Sequence, residues 1–215
     1  MNQPVAWGRP RAERADAARN RQVLLACARK ILAEQGPDRL TMDGLAERAG
    51  LGKGTVFRRF GTRAGIFQAL LDDGERAFQE QVLSGPPPLG PGAAPLDRLI
   101  AYGQARIDFL IGHRDLARGA LDGRESVPAG TQSPMSQIHI RSLLAQLSLD
   151  EADLDVLATQ LTAALDGPLL LYLSSDLIAE VGPRISTRLG RGWADLIRRV
   201  TCEPRARAGN PGQVR

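Results

Sequence analysis

Apolar positions fall at helical spacing along most of the chain. Val23, Leu24, Cys27, Ala28, Ile31 and Leu32 recur at intervals of three and four, which predicts a first long helix from about Arg14 to Gln35 that Gly36-Pro37 stops. Leu45 and Ala49, four apart, follow Thr41, whose hydroxyl can accept a backbone N–H at a helix start. Gly50 then permits a sharp turn, because glycine enters the left-handed region without a Cβ clash. A second short helix, from about Lys53 to Phe60, puts Val56 and Phe60 on one face and turns Lys53, Thr55, Arg58 and Arg59 elsewhere. Together the two form a helix-turn-helix with a basic outer face. Thr62 is the expected N-cap of a fourth helix running to about Leu83, with Ile66, Phe67, Leu70, Phe78 and Val82 facing inward.

The next stretch, 84–92, holds four Pro and three Gly and reads as a loop. Beyond it the apolar spacing predicts helices from about Pro95 to Ile111, a short one through Leu121, one from Pro134 to Leu147, a long one from Leu149 to Ile178 and a last one from Pro183 to Cys202. Gly123, Pro128 and Gly130 mark 122–133 as a flexible connection. Residues 1–13, with Pro4, Gly8 and Pro10 opposing helix, read as a mobile basic arm carrying Arg9 and Arg11, and 203–215 as a disordered tail. The fold class expected is all-α.

Composition supports that class, with aromatics at 4% and no β-branched runs. Charge is segregated: residues 9–63 hold thirteen Lys+Arg and six Asp+Glu, a net +7, whereas the whole chain carries only +4. A polyanionic partner for the N-terminal part follows, since neutralising phosphates releases condensed counterions. Cys27 and Cys202 are far apart without a CxxC or a neighbouring His, so neither a disulfide framework nor a zinc site is expected, and Cys27 reads as a core residue. No run of 18 uncharged apolar residues exists, and the start lacks an apolar stretch behind a basic one. A cytoplasmic protein without a membrane segment is expected.

From Thr41 to Phe67 the pattern Thr-Met-x-x-Leu-Ala-x-x-Ala-Gly-Leu-x-Lys-Gly-Thr-Val-Phe-x-x-Phe-x-x-Arg-x-x-Ile-Phe resembles the TetR family of bacterial transcriptional regulators over roughly a quarter of the chain. The resemblance implies a helix-turn-helix DNA-binding domain at 14–61 and a helical effector-binding and dimerisation domain at 62–202. It also implies a homodimer on a palindromic DNA operator, released by a small-molecule effector, with no cofactor. In the family the position of Phe57 is usually a tyrosine reaching a phosphate, and that of Gly52 often a capping serine; this chain departs at both. Lys53, Thr55 and Arg58 are the candidates for base edges, with Gly54 beside them, because donor-rich side chains read G O6/N7 in the major groove. Thr41, Arg59 and Arg63 are assigned to phosphates, and Phe57 and Phe60 to packing the module, Phe57 also against the sugar-phosphate edge.

In the second domain Leu154, Leu157, Leu161, Leu165, Leu169 and Tyr172, with Ile185, Leu189, Trp193, Leu196, Ile197 and Val200, make a broad apolar surface. It serves either intrachain core or a four-helix dimer interface. Polar candidates for an effector pocket are Tyr102, His113, Arg114, His139 and Asp166, the last beside Pro168, which removes an N–H from its helix. An enzyme is not expected: there are two histidines, no phosphate-binding Gly loop, no Gly-x-Ser-x-Gly elbow and no metal-ligand cluster. The alternative is a constitutive DNA-binding dimer without a ligand.

Overall fold

The computed structural model describes residues 11–121, 134–147, 149, 152–172 and 177–201; within α-helices at the edges of these stretches, side chains are described for 16–121, 152–168 and 184–201. Residues 1–10 of the arm predicted at 1–13, with Arg9, the connection at 122–133, the tail at 203–215 and the side chains of Arg11, Leu169 and Tyr172 lie outside the described residues. Among those described, every regular element is helical: α1 (Arg11–Gln35), a 3₁₀ turn (Pro37–Arg39), α2 (Met42–Ala49), α3 (Lys53–Phe60), α4 (Arg63–Ser84), α5 (Pro95–Gly112), α6 (Arg114–Leu121), α7 (Pro134–Leu144), α8 (Leu154–Tyr172) and α9 (Leu177–Thr201). The all-α expectation holds.

Local chemistry sets most of the boundaries. Thr41 is extended and its Oγ1 accepts the Gly44 N–H at 3.0 Å, so α2 starts there. Gly50 ends α2 at φ 64°, with its N–H on the Ala46 and Glu47 carbonyls. Thr62 Oγ1 likewise accepts from Gly65 N at 3.1 Å, and α4 follows. Asp153 Oδ1 accepts the N–H groups of Asp155 and Val156 ahead of α8. Four boundaries differ from expectation. Helix α1 begins at Arg11, not Arg14; α7 stops at Leu144, not Leu147; α8 begins at Leu154, not Leu149, behind the Asp153 cap; and the predicted break before Pro183 falls earlier, since α9 already runs from Leu177.

The chain divides into two compact units, one formed by residues up to Gly74 with Asp115–Gly130, the other by Glu75–Arg114 with Thr131 onward. In the first, Leu24, Leu25, Ala28 and Ile31 of α1 close on Leu40, on Leu45 and Ala46 of α2, on Val56 of α3 and on Ile66, Phe67 and Leu70 of α4. Val23, expected in that stripe, is 42% exposed, and Leu25 takes its place in the core. In the second unit Phe78 and Val82 of α4 join Leu99, Tyr102 and Ile107 of α5, Ile140, Leu143 and Leu144 of α7, Ala158, Leu161 and Leu165 of α8, and Trp193 and Ile197 of α9. Each aliphatic side chain buried in this way contributes on the order of 1.5–3 kcal/mol. Leu161, Leu165, Trp193 and Ile197 therefore belong to intrachain core, which settles one of the two readings of the broad apolar surface for these four. Close approach of α5 and α9 depends on Gly103: a Cβ there would lie 2.0 Å from the Trp193 indole, whose Nε1 donates to the Leu99 carbonyl at 3.0 Å.

Candidate nucleic-acid interface and effector cleft

The glycine turn and the burial of Val56 fix which face of α3 is outward. Val56 is fully buried, Phe60 packs partly against the same core, and Lys53, Gly54, Arg58 and Arg59 are exposed, with Thr55 half-buried between them. A Cβ at Gly54 would meet nothing within 4 Å, so the first turn of α3 leaves its backbone open to an approaching ligand. Gly52 caps α3 with no side-chain hydrogen bond, as the departure from serine implies. Phe57 does not pack the module; it is 51% exposed on the outer side.

The cations on this face differ in what holds them. Lys53 Nζ meets Asp43 Oδ2 of α2 at 2.9 Å, with both side chains more than 60% exposed. Exposed pairs of this kind are worth only about 0–1 kcal/mol, so Lys53 can exchange Asp43 for another acceptor at little cost. Arg58 is exposed without an ion pair among the described residues. Arg59 donates through Nη2 to the Ala17 carbonyl of α1 at 2.7 Å. Arg63 is engaged more fully: Nε donates to Leu40 O at 2.8 Å, Nη2 to Pro37 O at 2.7 Å, and the guanidinium lies 4.9 Å from the Phe67 ring centroid. The structure thus gives Arg63, assigned to phosphate on sequence grounds, a bracing position between the start of α4 and the two ends of the 3₁₀ turn. Thr41 Oγ1 accepts from Gly44 N with one of its two lone pairs and keeps its O–H to donate.

The second unit holds a cleft of about 270 Å³ open to solvent, walled by Glu75, Phe78, Val82, Tyr102, Met135 and His139 among others. Beneath it Arg106, 1% exposed, donates to Glu75 Oε2 at 2.5 Å, with its guanidinium 5.7 Å from the Phe78 centroid and 5.2 Å from that of Phe109. Tyr102 donates to Ser136 Oγ at 2.7 Å; burial pushes its phenol up, against the pull of that hydrogen bond and of Arg106. Burial first, and then the Arg98 charge, lower the His139 imidazole to about 4, so it is neutral near pH 7. Burial also pushes the Asp166 carboxyl up, opposed by Arg106 and reinforced by Glu75.

Of the five residues predicted for a pocket, Tyr102 and His139 line the cleft. Asp166 is not among the cleft residues; its Oδ1 is buried without a hydrogen-bond partner, near enough for the charges of Arg106 and Glu75 to act on its carboxyl. His113 caps α5, stacks on Phe109 at 4.1 Å and pairs its Nδ1 with the Phe109 carbonyl, and is not among the cleft residues. Arg114 opens α6 and is not among the cleft residues. Glu75, Arg98 and Arg106 were missed. Spacing puts Arg98 and Arg106 on the Tyr102 side of α5 and Glu75 in step with Phe78 and Val82 on α4, but a charged residue at an inward position reads in sequence as a solvated one.

Fold and site together define a helix-turn-helix protein with a second, all-helical unit. Residues 24–70 match the model of bacterial regulatory proteins of the tetR family. Over 59 residues the chain is 37% identical to the DNA-binding transcriptional repressor TetR of Mycobacteroides abscessus, a stretch covering 27% of this chain and 31% of that protein. The chain thus matches about a third of that relative's length. A TetR-family transcriptional regulator from Pectobacterium atrosepticum superposes with a TM-score of 0.69 at 19% identity, covering 92% of this chain and all of that one. A transcriptional regulator from Rhodococcus sp. RHA1 does so with a TM-score of 0.57 at 19% identity over 83% of this chain and 96% of that one. Residues 24–70 therefore carry a helix-turn-helix of the tetR type, and the fold as a whole is similar to that of the superposed regulators.

Proposed function

We propose that this protein is a DNA-binding transcriptional regulator, acting as a homodimeric repressor that leaves a palindromic operator when a small molecule occupies the second unit. The observation that carries the reading is the outward face of α3: Lys53 and Arg58 stand free to exchange into a groove while Val56 anchors the helix from behind. In this reading Lys53, Thr55 and Arg58 read base edges over the open backbone at Gly54, and Phe57 lies along the sugar-phosphate edge. Thr41 donates to a phosphate beside the α2 N-terminus, and Arg59 reaches one when it releases Ala17. Arg63 holds the frame. Similarity to a transcriptional repressor supports the negative sign of regulation. Exposed Val156 on α8 and Leu196 on α9 support a second copy packing there. Action on chromosomal DNA supports a cytoplasmic site for this reading.

Selection of bound duplexes from a random-sequence pool tests the proposal. It should enrich an inverted repeat whose half-sites lie about 34–36 Å apart, or a multiple of that. A pool that stays unenriched, with binding equal for all sequences, would overturn the operator reading.

A further inference from the structure

Every buried side-chain polar atom left without a hydrogen-bond partner among the described residues belongs to the second unit: Arg98 Nε, Arg106 Nε, His139 Nε2 and Asp166 Oδ1. Buried polar groups are almost always satisfied, so four orphans in one unit ask for an absent partner. Their chemistry is one-sided. Two are guanidinium N–H donors, the imidazole nitrogen donates in one tautomer, and the only acceptor is a carboxyl that burial biases toward its protonated form. The charges agree. Arg106 is matched by Glu75, while Arg98 spends Nη2 on the Val82 carbonyl at 3.3 Å and has no carboxylate partner among the described residues. Arg98 is not itself a wall residue of the cleft, but it stands one helical turn before Tyr102 on α5, bonds the carbonyl of the wall residue Val82 and lies near enough for its charge to act on His139; Tyr102 lies 4.8 Å from His139 ring to ring, and Tyr102, His139 and Val82 all wall the cleft.

We propose that the cleft binds an organic monoanion with an apolar body, its carboxylate held by Arg98 Nε and His139 Nε2 and its hydrocarbon laid against Phe78, Val82 and Met135. This gives the chemical class of the effector and rests on the regulator reading for its consequence, not for its chemistry. The neutrality of His139 is the expected state of the empty cleft. An anion beside it favours the imidazolium, so anion binding takes up protons and strengthens as pH falls. The other titratable and charged groups around it are Arg98 and Tyr102 on α5, Glu75 on α4 and Asp166 on α8.

The probes are decanoate, decanol and decyltrimethylammonium, titrated calorimetrically into the full-length protein, with octanesulfonate, charged across the range, titrated at pH 7 and pH 5. Decanoate should bind about tenfold or more tighter than decanol, the worth of hydrogen bonds to a charged group, and the ammonium more weakly than either. Octanesulfonate should bind tighter at pH 5. Arg98→Gln and His139→Gln should each bring decanoate toward decanol and leave decanol unchanged. Equal affinity for acid and alcohol, preference for the cation, binding of no probe, or sulfonate affinity independent of pH would each overturn the proposal; none of these needs a variant that folds. Operator affinity with and without decanoate separates the two readings. Decanoate that binds without weakening the operator complex leaves the site standing and removes effector release.

Discussion

Arg63 illustrates how a residue's chemistry and its placement can point in different directions. Its charge, its place one turn past α3 and the family pattern suggest a phosphate contact, yet two of its five donors close on Leu40 O and Pro37 O and its face lies on Phe67. Those carbonyls flank the 3₁₀ turn that sets Thr41 at the head of α2. Arg63→Ala should therefore destabilise the helix-turn-helix unit by about 1–3 kcal/mol, the range for losing hydrogen bonds made by a charged donor, measured by urea denaturation. It should weaken operator binding without changing the slope of log affinity against log salt. A slope smaller by about 1 would show that Arg63 neutralises a phosphate. No periodicity could reveal this, because the contact depends on the register of a three-residue turn distant in sequence.

Elements were legible wherever a side chain starts or stops them. Thr41, Gly50, Thr62 and Pro95 set boundaries that follow from capping and backbone preference alone, and α2, α3, α4 and α5 stand within a residue or two of expectation. Pro183 misled because proline at a first helical position and proline inside a helix look alike in sequence; α9 continues through it. Faces were legible where apolar and charged residues separate cleanly, as on α3. The cleft was not, because its decisive residues are charged side chains at inward positions: Arg106 is buried against Glu75 where spacing alone suggests an apolar residue. Packing between elements rests on single positions too. Gly103→Ala would drive a methyl into the Trp193 indole between α5 and α9, and overpacking of this kind costs about 1–3 kcal/mol. Thermal unfolding of that variant should show a lowered Tm; an unchanged Tm would mean that α5 and α9 are less closely packed than their geometry indicates.

Across the whole molecule, charge and burial divide the labour. The net +7 of residues 9–63 sits with a small core that exists to hold α3 outward, and the remainder of the chain carries net negative charge around a larger core with a polar cluster inside it. Leu161, Leu165, Trp193 and Ile197 are spent within the chain, so the homodimer proposed above would have to use narrower strips of α8 and α9, such as exposed Val156 and Leu196. Salt-dependent duplex affinity of the wild type and of the Lys53→Ala, Arg58→Ala double variant, followed by fluorescence anisotropy, examines the outward face of α3 most directly. The double variant should fold with an unchanged Tm, bind its selected operator at least tenfold more weakly, and lose most of its preference for that operator over random duplex. Unaltered affinity, preference and salt slope would contradict the placing of α3 in a DNA groove.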